Sequence, residues 1–174
     1  MRQGNKGFTL IELLVVMAIM AIFTGMSFAT IGLIQAGNMT SVTKNIAAGM
    51  QETRQKTMTQ NLAHGWSFSV NTDAEGEVSM TITKNAAADK TPQTTTTVLK
   101  KCTLYYQADG AAAVEVSDFT MTFDAATGAV KNVNYVSGGT TYSQTSGTAV
   151  IKAEHGGKNS ELTIYFATGK YDVK

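Results

Sequence analysis

The sequence predicts an α+β fold in which one long N-terminal helix packs on a head of antiparallel β-sheet. Three observations carry that expectation. Between Phe8 and Ile34 the only charged residue is Glu12; from Met39 to Thr57 apolar and small residues recur every three or four positions; and beyond Trp66 apolar residues alternate with polar ones. The first pattern suits a helix in hydrocarbon, the second a helix with one buried face, and the third strands with one buried face.

The chain has 174 residues, 43% hydrophobic and 16% charged, enough for one domain plus an accessory segment at about 100 to 200 residues per domain. Of its 14 basic and 13 acidic residues, Arg2, Lys6 and Glu12 lie in the first 37, so the remainder carries twelve of each and is electrically neutral. A neutral body lacks the bulk electrostatic attraction behind non-specific nucleic-acid binding. With Cys102 as the single cysteine, no intramolecular disulfide and no multi-thiolate metal site can form in one chain. The core must be held by burial, and the many threonines favour strands and polar surface.

The first element is a helix expected to cross a membrane over residues 8–36, behind a short leader at 1–7. At 1.5 Å per residue, about 20 helical residues span a bilayer core. Arg2 and Lys6 precede the run and the next basic residue is Lys44, which places the N-terminus in the cytoplasm and residues 37–174 outside. Three other readings compete: a secretory signal cut after Ala29 in Ser27-Phe28-Ala29, a generic signal anchor, and a buried core helix. Glu12 speaks against the first, because a carboxylate in hydrocarbon costs a few kcal/mol and a plain signal has no use for it. The length of the run speaks against the last.

The stretch Lys6-Gly7-Phe8-Thr9-Leu10-Ile11-Glu12-Leu13-Leu14-Val15-Val16 resembles the prepilin signature of type IV pilins and type II secretion pseudopilins. The resemblance implies cleavage between Gly7 and Phe8 by a membrane-embedded prepilin peptidase, N-methylation of Phe8 by the same enzyme, and an assembly role for Glu12. The chemistry is consistent, since a carboxylate in lipid needs a cation and cleavage after Gly7 creates an α-amine. In the family that pairing is thought to act between neighbouring subunits and to set axial register. Many major pilins have a helix-kinking proline in the second half of this segment, where this chain has only Gly25 and Gly32 to loosen it; these can equally serve close helix contact.

Beyond Gly37, the residues Met39, Val42, Ile46, Met50, Thr53 and Thr57 form one helical face, so an amphipathic helix is expected to continue to about residue 63, ending in Asn61 to Gly65. Trp66, Phe68 and Val70, a turn over 71–77, then Val78, Met80 and Ile82 predict a hairpin. Further alternating runs are Cys102, Leu104, Tyr106; Phe119, Met121, Phe123, followed by a turn at Asp124 to Gly128 and by Val130; and Leu162, Ile164, Phe166 before Gly169. Lys84 to Thr97 and Ser137 to Gly147 read as surface loops.

Residues 46–61, with Arg54 and Asn61, are similar to the helical stretch of the GspH/FimT minor pseudopilins, and Gly156-Gly157, Leu162-Thr163-Ile164 and Thr168-Gly169-Lys170 look like their closing hairpin. That resemblance implies a minor subunit of a type II secretion or type IV pilus-like filament. Its implied partners are prepilin peptidase, other pilins or pseudopilins, the inner-membrane assembly platform and lipid.

An enzyme is the main rival class, and no motif supports one. His64 and His155 lack neighbouring ligands, Cys102 reads as a buried hydrophobe, and neither a Gly-x-Ser-x-Gly nor a P-loop pattern occurs. Asp73, Glu75 and Glu77 lack most of a calcium loop. Lys100, Lys101, Tyr105 and Tyr106 suggest a DNA patch, but successive strand residues point to opposite faces. The expectation is a non-enzymatic structural subunit with no cofactor and no metal; the alternative is a membrane-anchored surface binding module, including a DNA-uptake pilin.

Overall fold

The structure, a computed structural model, describes residues 9–60, 65–86 and 91–174, with the side chains of all these except 25–33 and 35. Helix α1 runs from Leu10 to Thr59, 50 residues or about 75 Å at 1.5 Å per residue. Its backbone continues without a break past Gly25 and Gly32. Thr9 caps its start, and the backbone N–H of Gln60 closes its end on the Lys56 carbonyl. The helix therefore stops a turn before residue 63; Asn61 and His64 lie outside the described residues.

The expected helical face is the one that packs. Met39, Val42, Ile46, Met50, Thr53 and Thr57 are all buried. Hydroxyls on this face are satisfied inside the helix or just across it. Thr53 and Thr57 donate to the carbonyls four residues back, and Thr43 lies 2.8 Å from the Ser160 hydroxyl of a facing strand. Gly49 lets that face approach the head closely, since a Cβ there would stand 2.7 Å from the ring of Phe68.

The head holds two antiparallel sheets where the sequence reading expected one. Sheet A comprises β1 (Trp66–Thr72), β2 (Val78–Lys84), β3 (Gln93–Val98), β6 (Asp118–Phe123), β7 (Val130–Ser137) and β8 (Thr140–Gln144), in the order β3-β2-β1-β6-β7-β8. Sheet B comprises β4 (Thr103–Ala108), β5 (Val114–Glu115), β9 (Thr148–His155), β10 (Lys158–Tyr165) and β11 (Lys170–Val173), in the order β11-β10-β9-β4-β5. Their inner faces meet in one core with α1 lying against strands of both. Phe119 of sheet A has Phe68 at 6.3 Å and Tyr106 of sheet B at 6.5 Å between ring centroids.

Two expected loops contain strands. Gln93–Val98 pairs residue by residue with β2, and Thr140–Gln144 with β7. Every β3 residue is exposed, and most of β8. With polar residues on both faces there is no alternation in hydropathy to reveal a strand, although β-branched threonine favours one. The strand β9, whose inward residues are Ala149, Ile151 and Ala153, gives a weak alternation because two of the three are alanine.

Candidate functional site

The N-terminal end of α1 is an apolar rod with one carboxylate. Apolar side chains from Leu10 to Phe23 stand between 47% and 84% exposed, on every side of the helix. Soluble proteins rarely leave so much contiguous apolar surface uncovered, so a face of this kind marks contact with lipid or with other helices. Glu12 sits in the first turn and closes a capping box with Thr9. Its carboxylate accepts from the Thr9 backbone N–H and from the Thr9 hydroxyl, both at 2.8 Å, while the Glu12 N–H donates to that hydroxyl oxygen at 3.3 Å. The sequence reading treated Glu12 as a charge awaiting an amine; the structure shows that Thr9, one residue after Phe8, already gives it two donors. Gly7 and Phe8 lie outside the described residues.

Among the described residues no helix is long and apolar enough to cross a membrane.

The second end of the helix is fastened by Arg54, a residue that the sequence resemblance singled out. Its Nε donates to the carbonyl of Gly128 at 2.7 Å and its Nη2 to that of Thr168 at 3.2 Å. Gly128 lies in the β6–β7 turn of sheet A and Thr168 in the β10–β11 turn of sheet B, so one guanidinium ties the helix to both sheets. Glycine is required beside it: both Gly128 and Gly169 have positive φ, and a Cβ on either would come within 2.8 Å of Nε. The two turns are further joined by the Val130 N–H donating to the Phe166 carbonyl at 2.9 Å.

The other candidate groups are engaged in structure. Asp73 spends its carboxylate on the β1–β2 turn, accepting from the backbone N–H groups of Glu75 at 3.0 Å and Glu77 at 2.7 Å. Asp124 does the same for the β6–β7 turn with Ala126 and Thr127. Cys102 is buried, and desolvation pushes its thiol up to about 11. Tyr106 is wholly buried with its hydroxyl donating to Gln144 at 2.8 Å, and burial raises its phenol. Tyr105 faces the other way, under Lys152. Lys100, Lys101, Tyr105 and Tyr106 therefore do not assemble into one surface patch. Among the described residues no three His, Cys, Asp or Glu side chains are grouped to hold a metal. A cleft of about 710 Å³ opens at one end of the head beside Asp73, Cys102, Glu115 and Gly138.

Residues 2–28 match the family model described as the prokaryotic N-terminal methylation motif. The matched range contains Gly7, Phe8, Thr9 and Glu12. No curated protein and no solved structure matches the chain. A methylation motif at the N-terminus, an apolar helix that enters a head, and a head of antiparallel sheet together support a type IV pilin-like protein.

Proposed function

We propose that this chain is a non-enzymatic structural subunit, a minor pilin or pseudopilin of a type II secretion or type IV pilus-like filament. Prepilin peptidase cleaves it after Gly7 and methylates the new terminus at Phe8. The helix over 8–36 then holds it in the inner membrane as a single span, with the head on the outer side, until the assembly platform moves it into the filament. The observation that carries this reading is the exposed apolar half of α1 bearing one carboxylate, Glu12. Lipid covers such a rod before assembly, and the helices of neighbouring subunits cover it afterwards.

Glu12 works in two stages on this reading. In the precursor its charge is satisfied locally by Thr9. After cleavage, the α-amine of a neighbouring subunit offers a full positive charge in low dielectric, where a charge-assisted bond is stronger than one to a neutral hydroxyl. The carboxylate thus sets the axial position of each added subunit. Assignment to the GspH/FimT group draws support from Arg54, which joins helix and head at the position that the resemblance picks out.

The test is intact-mass and N-terminal analysis of the chain extracted from membranes, beside a Gly7→Asp control. A mature chain beginning at methylated Phe8, with the control unprocessed, is the expected result. A chain beginning at Thr30, or one that keeps its leader, would remove the filament reading.

A further inference from the structure

The contacts of α1 fix which end of the head lies against the membrane on the reading proposed above, on which this inference rests. Thr43 meets Ser160 near the start of β10, and Arg54 meets Thr168 just past its end. The eleven helical residues from 43 to 54 rise about 16 Å, and the five strand residues from Ser160 to Tyr165 rise about the same. The strand β10 therefore climbs alongside α1, and the β9–β10 turn points back toward the apolar half of the helix. Gly156 and Gly157 at its tip lie about 10–13 Å below Ser160, the rise of about seven to nine helical residues. That sets the tip level with residues 34–36, where the proposed span ends.

Other segments come down to the same level. Thr103 pairs with Glu154, and Glu154 with Asn159, so Lys100 and Lys101, just ahead of β4, emerge beside the hairpin tip. The Trp66 ring lies against Lys56 and Phe68 against Gly49, so β1 descends along the helix and its turn over 73–77 reaches this end too. Charge there is divided by sheet. Along sheet B and α1 stand Lys44, Lys100, Lys101 and Lys158, all exposed and none with an ion-pair partner among the described residues. Glu154 in the same sheet is already held by Lys152 at 2.7 Å. Along sheet A stand Asp73, Glu75 and Glu77, all exposed.

We infer that the sheet B side of this end is a docking surface for anionic lipid headgroups, which tilts the head toward that side while the chain is held in the membrane. Ammonium groups at headgroup level are drawn to a negatively charged bilayer within a Debye length, about 10 Å at 0.1 M salt. The acidic turn of sheet A is repelled by the same surface, so both halves of the end favour one tilt. Lysine suits such a contact, because its flexible stem lets the ammonium follow a fluid surface.

Fluorescent labels on single cysteines test it, in the full chain with a Cys102→Ala background, reconstituted into bilayers whose lipid headgroups carry a nitroxide quencher. Asn159→Cys reports the basic side, Ala74→Cys the acidic side and Ala126→Cys the far end of the head. On changing from phosphatidylcholine to bilayers containing phosphatidylglycerol, quenching at position 159 should rise about threefold and stay unchanged at 126. The rise should vanish in 1 M salt, where the Debye length is about 3 Å. Lys100→Gln, Lys101→Gln and Lys158→Gln together should also abolish it, with circular dichroism matching the parent. An equal rise at position 74, or quenching at 159 that neither lipid charge nor the three substitutions alter, overturns the inference and leaves the membrane anchor intact. A chain that floats with neither bilayer removes the membrane reading itself, and this inference with it.

Discussion

The two halves of α1 share one backbone conformation and meet opposite surroundings. From Leu10 to Phe23 the side chains are exposed all round; from Met39 to Thr57 one face is buried against both sheets. Polar groups are handled alike in both. Thr24 donates to the Met20 carbonyl, as Thr53 does to Gly49, so that each of these hydroxyls finds its partner within the helix. What differs is where the apolar area goes. The second half finds its cover within the chain, and the first must find it in lipid or in other subunits. Assembly and folding are thereby assigned to separate stretches of one helix.

Substitutions can separate the two roles. The largest effect expected is on assembly: on the proposed reading Glu12→Ala removes one member of an ion pair in hydrocarbon, about 3–5 kcal/mol, so filament yield should fall by about a hundredfold or more while thermal unfolding of the head stays unchanged. Loss of head stability as well would erase the division. On the other side, Phe68→Ala, at the ring that meets Gly49 and Phe119, should destabilise the head by about 3–5 kcal/mol in chemical denaturation and leave processing at Gly7 intact.

Arg54→Met should follow, at about 2–3 kcal/mol, because a charged donor to two carbonyls is lost, and Arg54→Lys should restore only part since an ammonium cannot span both turns. Gly49→Ala gains about 1 kcal/mol of helix propensity but overlaps the Phe68 ring, for a net loss of about 1 kcal/mol. The smallest effect belongs to Asp124. Hydrogen bonds from the Thr127 hydroxyl, and then its amide, hold the carboxyl below the usual carboxylate range. A depressed folded value means that its contribution is present at neutral pH and is lost as pH falls through that value. Asp124→Asn should therefore lower stability slightly at pH 7 and make no difference in acid.

Much of this was legible in the chain. The helical face from Met39 to Thr57, the β1–β2 hairpin and the inward residues Leu104, Phe119, Met121, Leu162 and Ile164 follow from periodicity, because each element has one face that must be buried. The candidate site at Gly7, Phe8 and Glu12 rests on the sequence: Gly7 and Phe8 on the resemblance to the prepilin signature, and Glu12 also on the cost of a lone carboxylate in an apolar run. Its capping partner Thr9 carries a sequence signal of its own, a threonine three residues before a glutamate at a helix start. The strands β3 and β8 were hidden because both their faces are polar.

By itself the sequence determined which residues seek burial and where a charge sits out of place, since those are local properties of side chains and their spacing. It could not determine how many sheets the strands make. That was decided in three dimensions, where β4 and β9 find each other more than 40 residues apart through backbone bonds that carry no sequence signature. Nor could it show Arg54 reaching turns at residues 128 and 168. A guanidinium donates to any carbonyl within reach, and only the packing of helix on both sheets decides which carbonyls those are.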